Sequence, residues 1–141
     1  MTVLTQVQVD AIIAHAREVT PHECCGLIGG THNGRAQTIY RTRNVAPDPL
    51  IAYEAAPEDL FAAQRAMRES GEQLIAIYHS HPRSNDPKPS ETDVRLAYYP
   101  AAVYLIVGLG KQQPSLRAFR ISESEGRWEP AEYEIVSQRD R

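Results

Sequence analysis

A chain of 141 residues, 42% hydrophobic and 23% charged, is long enough to bury a sizeable core, and residues 1–141 read as a single globular domain. Its net charge is −3, and Lys and Arg are scattered without a basic run, which argues against nucleic acid as a partner. The longest apolar runs, LIAIY and AAVYLIV, are too short to cross a bilayer, so no membrane partner is expected.

The start, MTVLTQVQVD, lacks the pattern of a secretory signal, and the two cysteines are neighbours, Cys24 and Cys25. Adjacent cysteines rarely bridge without strain, so a reducing, cytoplasmic setting is the expectation. Thr5 followed by Gln8 makes a capping box for a first helix, with Val9, Ile12, Ile13, Ala16 and Val19 on one stripe and Pro21 as its stop. CCGLIGG reads as a short buried strand ending in a glycine turn, and AQTIYRTRNV alternates as a second strand. A second helix opens at Pro57 with Glu58 and Asp59 in its first turn. Leu60, Ala63 and Met67 form its inner face, and Gly71 ends it.

QLIAIYHSH carries apolar residues on both faces, the pattern of a central strand covered on both sides. A shorter helix is predicted from Ser90 to about Tyr98, and AVYLIVGL is a further buried strand. PSLRAFRIS and WEPAEYEIV read as outer strands, and residues 136–141 as a frayed tail. The predicted fold class is α/β, of the α+β kind: a mixed sheet flanked by two or three helices.

The chemistry concentrates in YHSHPRSNDPKPSETD, residues 78–93. Side chains two apart on a strand share a face, so His79 and His81 point the same way while Ser80 turns to the other side. Pro82 stops the strand, and Pro87 and Pro89 stiffen the loop leading to Asp93. Two histidines and a carboxylate leave one position of a tetrahedral zinc open for water, the composition of a catalytic site. The bland alternatives are a solvated histidine pair and an Asp93 that only caps the helix behind Ser90. His15, His22 and His32 are expected at the surface, and Cys24 and Cys25 in the core. Spacing alone leaves these alternatives open.

HSHP followed by PSETD, with ECCGLIGG upstream, resembles the JAMM (MPN-plus) family of zinc metalloproteases. The resemblance runs from the first helix through AVYLIVGL. It implies a curved mixed sheet between helices and one zinc ion per chain, with a catalytic water, held by His79, His81 and Asp93. It makes Glu23 the general base and gives Ser90 the task of holding the substrate carbonyl. Capping and oxyanion donation make competing claims on the Ser90 hydroxyl.

The implied substrate is the C-terminal tail of a ubiquitin-like or sulfur-carrier protein, cut at the peptide or isopeptide bond that follows it. An extended tail of that kind would pair with strand edges near AYEAA or after His81. The competing reading is a non-catalytic scaffold of the same fold that binds partner proteins; the intact Glu23, His79, His81, Ser90 and Asp93 argue against it. A zinc deaminase is excluded, because those enzymes use His-x-Glu and Pro-Cys-x-x-Cys, neither of which occurs here.

Overall fold

The structure, a computed structural model of the chain, describes residues 1–110 and 113–137. In chain order its elements are β1 (Thr2–Thr5), α1 (Gln6–Val19), β2 (Cys25–Gly30), β3 (Ala36–Thr42), α2 (Pro57–Ser70), β4 (Gln73–His81), α3 (Glu91–Arg95), β5 (Val103–Gly108), β6 (Ser115–Ser122), β7 (Arg127–Ala131) and β8 (Tyr133–Val136). Six strands form one mixed sheet in the order β3-β2-β4-β5-β6-β7. The β4·β5 pair is parallel and the other pairs are antiparallel.

Each face of this sheet carries a core. On one face Val9, Ile12 and Ala16 of α1 pack on Ile28, Ala76, Tyr78 and Leu105. On the other, Ala63 and Met67 of α2 and Ala97 pack on Leu27, Ile77, Ile106 and Phe119. Burying a Val, Ile or Leu side chain contributes about 1.5–3 kcal/mol, so both helices are held mainly by these stripes. The alternation fixes the site's location. Ile77, two residues before His79, belongs to the α2 face, whereas Tyr78 belongs to the α1 face. His79 and His81 therefore emerge on the α2 and α3 side, at the C-terminal end of a central strand.

Local signals set both long helices. Thr5 and Gln8 close the capping box of α1 as predicted. Pro57 opens α2, and Gly71, at φ 76°, ends it in the left-handed conformation that glycine adopts without steric cost.

Several expectations are corrected. The third helix ends at Arg95 rather than near Tyr98. Tyr99 precedes Pro100, which disfavours helical backbone at Tyr99, and the Tyr99 N–H donates to the Tyr104 hydroxyl at 3.2 Å. WEPAEYEIV is two strands: β7 continues the main sheet beside β6, and β8 leaves it to pair in parallel with β1. That pairing includes Thr5 opposite Val136, so Val136 is a strand residue and not frayed tail. Residues 138–141 of that predicted tail lie outside the described residues. β1 itself was not expected. AYEAA forms no strand, only a single bridge between Asn44 and Ala55, and the chain turns directly after His81, where Ser84 N–H donates to the His81 carbonyl at 3.1 Å. His15 is 6% exposed, not at the surface, because its Nδ1 lies 2.7 Å from the buried Tyr78 hydroxyl. Among the described residues no helix is long and apolar enough to cross a membrane.

Candidate metal centre

Three backbone devices bring the site residues together. Ser80, on the α1 face, accepts a hydrogen bond from Cys24 N–H at 2.8 Å through its side chain, and its own N–H donates to the Cys24 carbonyl. This ties the residue beside Glu23 to the residue between the two histidines. Glu23 lies two positions before Cys25, whose register partner is His79, so it falls on the histidines' side of the sheet. Gly26 permits this close approach: a Cβ there would lie 2.3 Å from the Tyr78 ring.

The loop from His81 to Ser90 is pinned against the end of β5. Gly110 N–H donates to the Ser84 carbonyl at 2.9 Å, Ser115 Oγ to the Asn85 carbonyl at 3.0 Å, and Arg117 pairs with Asp86 at 2.7 Å. Pro87 is fully buried beneath it. The chain is thereby delivered to Ser90, the N-cap of α3.

At the centre, His79 Nε2, His81 Nε2 and Asp93 Oδ2 form a triangle with edges of 3.1, 3.1 and 3.0 Å. Two imidazole nitrogens and one oxygen cannot satisfy all three edges by hydrogen bonding. If both nitrogens carry protons for the oxygen, the nitrogen–nitrogen edge sets donor against donor. A cation among three converging lone pairs satisfies every edge. One ligand atom from each of Glu23, His79, His81 and Asp93 lies within 4.8 Å of the others. Oε1 of Glu23 is buried and has no hydrogen-bond partner among the described residues. The donor set therefore fits a borderline-soft divalent ion such as zinc, with a free carboxyl beside it.

The surroundings set the charges. Burial opposes ionisation of Asp93, but the charge of His79 and hydrogen bonds from His79, His81 and the Ser90 N–H outweigh it and hold this carboxyl well below its usual range. Burial, and then the charge of Asp93, push the Glu23 carboxyl up to about 8. Burial also pushes the thiols of Cys24 and Cys25 up to about 12 and about 11, so both are neutral core residues, as expected.

Asp93 caps α3 without turning away from the histidines. Its Oδ2 accepts the Ser90 N–H at 2.9 Å while facing both histidines. The Ser90 conflict also dissolves. Its Oγ accepts the Asp93 N–H at 3.0 Å, which occupies a lone pair and leaves the hydroxyl proton free to donate. Ser90 is exposed and lies at the rim of an open cleft shared with Glu23 and His81, walled by Leu50, Ile51 and Pro82.

Two neighbours carry no local signal in the sequence. Asn44, just beyond β3, donates through Nδ2 to the carbonyls of Glu23 and Ala52, both at 3.0 Å, and accepts through Oδ1 from the N–H groups of Ala46 and Glu54. Tyr53 stacks on His79 with ring centroids 4.3 Å apart. An Asn soon after a strand and a Tyr in a loop are each too common to single out; only the folded loop gives them meaning.

A mixed sheet that aims two histidines and an aspartate at one point beside a free carboxyl has the make-up of a metal-dependent hydrolase. The model of the family of prokaryotic homologs of the JAB domain matches residues 5–122. A desampylase from Haloferax volcanii is 41% identical over 102 residues, covering 69% of this chain and 73% of that protein. A CysO-cysteine peptidase from Mycobacterium bovis is 33% identical over 124 residues, covering 86% of this chain and 84% of that one. A protein of Desulfitobacterium hafniense, solved in solution, matches with a TM-score of 0.85 at 31% identity, over 98% of this chain and 94% of its own. This chain belongs to the family of prokaryotic JAB-domain homologs, a family that is zinc-dependent in general.

Proposed function

We propose that this chain is a zinc metallopeptidase that hydrolyses the peptide or isopeptide bond following the C-terminal tail of a ubiquitin-like, sulfur-carrier-type protein. The observation that carries the reading is the convergence of His79, His81 and Asp93 beside the unpartnered Oε1 of Glu23, opening on a cleft. The relatives named as a desampylase and a CysO-cysteine peptidase support the substrate class.

His79 and His81 through Nε2 and Asp93 through Oδ2 would hold one zinc ion. When bound, zinc supplies an acidified water, its pKa lowered from ~15.7 towards ~7, and polarises the scissile carbonyl. The positive charge of a bound ion would offset the burial that raises the Glu23 pKa and favour its ionised form. Glu23 would then accept the proton of the attacking water at Oε1 and return it to the departing amine, base first and acid second. Ser90, with Oγ fixed by the helix cap, donates a hydrogen bond from its hydroxyl to the substrate carbonyl oxygen as negative charge develops there. Leu50, Ile51 and Pro82 offer the substrate tail apolar walls.

The test is incubation with a ubiquitin-like sulfur carrier bearing extra residues after its Gly-Gly, with products read by mass spectrometry. Cleavage directly after Gly-Gly, abolished by a chelator and restored by zinc, is the expected outcome. An intact substrate at full zinc loading would defeat the reading.

A further inference from the structure

The imidazole of His79 is fully buried, yet its Nδ1 has no hydrogen-bond partner among the described residues. A metal-bound histidine ordinarily donates its second ring N–H to a carboxylate, a carbonyl or water, and that bond fixes the ring's tautomer and orientation. Among the described residues His79 has no such partner. What it has instead is Tyr53, whose ring lies 4.3 Å away, centroid to centroid, and within 25° of parallel.

We infer that Tyr53 is a positioning residue for the metal site, its ring face holding the His79 imidazole in the orientation that other metal-bound histidines receive from a hydrogen bond at Nδ1. The inference rests on His79 being a metal ligand, as proposed above.

Three observations support it. First, Tyr53 is itself held from both sides. The carbonyl of Ala52 accepts from Asn44 Nδ2 at 3.0 Å, and the N–H of Glu54 donates to Asn44 Oδ1 at 3.0 Å. The Glu54 carbonyl also accepts from the Val45 N–H at 2.8 Å. Because Asn44 also binds the Glu23 carbonyl, one amide sets the backbone of both Glu23 and the Tyr53 loop.

Second, the stack favours the loaded state. An imidazole bound to a cation is electron-poor, and the negative face of a phenol ring attracts it more than it attracts the neutral imidazole. Tyr53 therefore contributes to metal affinity as well as to packing. Third, the two histidines differ in exposure. The His79 side chain is 0% exposed and that of His81 is 17%, so His79 is the fixed member of the pair and Tyr53 the wall that fixes it.

The experiment compares the parent with Tyr53→Phe, Tyr53→Leu and Tyr53→Ala. Zinc affinity is measured by chelator competition, the visible spectrum is recorded after cobalt substitution, and urea unfolding is followed on the metal-free proteins. Phe keeps the flat face and should bind zinc at the parent level with the parent cobalt spectrum. Leu fills the volume without a flat face. It should bind zinc about 10–100-fold more weakly, the range seen when the groups that orient metal ligands are lost, and its cobalt bands should shift. Ala should weaken at least as much; if it does not fold, the Leu and Phe arms decide. A Leu variant with parent affinity and spectrum would overturn the inference, and so would a Phe variant as weak as Leu, since the hydroxyl would then be what matters. A parent that binds no zinc would overturn the metal reading and this inference with it, which separates the two failures.

Discussion

Glu23 shows how little separates a structural carboxyl from a chemical one. It is 5% exposed, its Oε1 has no hydrogen-bond partner among the described residues, and the charge of Asp93 repels its ionised form. Glu23→Gln preserves size and removes the proposed proton acceptor, so turnover should drop ~10²–10⁴-fold while zinc content stays near one per chain. Parallel kinetic and metal assays check this, and near-parent turnover would refute the assigned role. Asp93 differs because the oxygen that accepts the Ser90 N–H is also the one that faces both histidines, where it would ligate the proposed ion. Asp93→Asn should weaken zinc retention under dialysis and also cost the metal-free protein about 1 kcal/mol of stability through the damaged cap. Loss of stability with zinc fully retained would reduce Asp93 to a capping residue.

At the scale of elements, the site depends on segments that sequence periodicity does not describe. β4 and β2 supply the histidines and the approach to Glu23, but residues 43–56 lie over them with no regular structure of their own beyond one bridge. Asn44 substitutes for a ladder, its single amide satisfying two N–H groups and two carbonyls. Asn44→Ala removes four hydrogen bonds from a half-buried position, at a net cost of about 2–3 kcal/mol. The urea midpoint should fall accordingly, and limited proteolysis should cut first between residues 45 and 55. A variant as stable and as resistant as the parent would show the loop to be held by something else. α3 makes the complementary point. Five residues are too few for a helix to persist on its own, so Ser90 and Asp93 cap it while the packed Ala97 anchors its end.

Across the whole molecule, the legible features were those whose cause is local. The capping box at Thr5, the proline and glycine bounding α2, the buried strand ending in His79 and His81, and the resemblance carried by HSHP and PSETD each needed only a few neighbouring residues. The features missed have distant causes. His15 sits on a helix side that looks solvent-facing until Tyr78, 63 positions on, places a hydroxyl against it. This contact has a pH signature. Burial, aided by the charge of Arg41, lowers the His15 pKa from 6.5 to about 4. The folded protein thus refuses a proton that the unfolded chain accepts below about pH 6.5, and stability should decline as pH falls from there towards 4. Comparing urea midpoints of the metal-free parent and His15→Gln at pH 7 and pH 4.5 isolates the effect; the variant should lose less. Equal losses would remove His15 as a cause.

The other long-range feature is the short parallel ladder between β1 and β8, Thr2 opposite Tyr133 through Thr5 opposite Val136. β1 is made well before its partner, with the helices and the main sheet between them in the chain, and its Leu4 is fully buried in the folded protein. Closing so long a loop is entropically slow, which places this pairing late in folding and makes it early to open. Native-state hydrogen exchange should find the amides of Val3–Thr5 and of the β8 strand opening as one cooperative unit, at lower free energy than those of β4 and β5. The central strands that carry the histidines would then keep their amides protected while the β1–β8 ladder opens and closes.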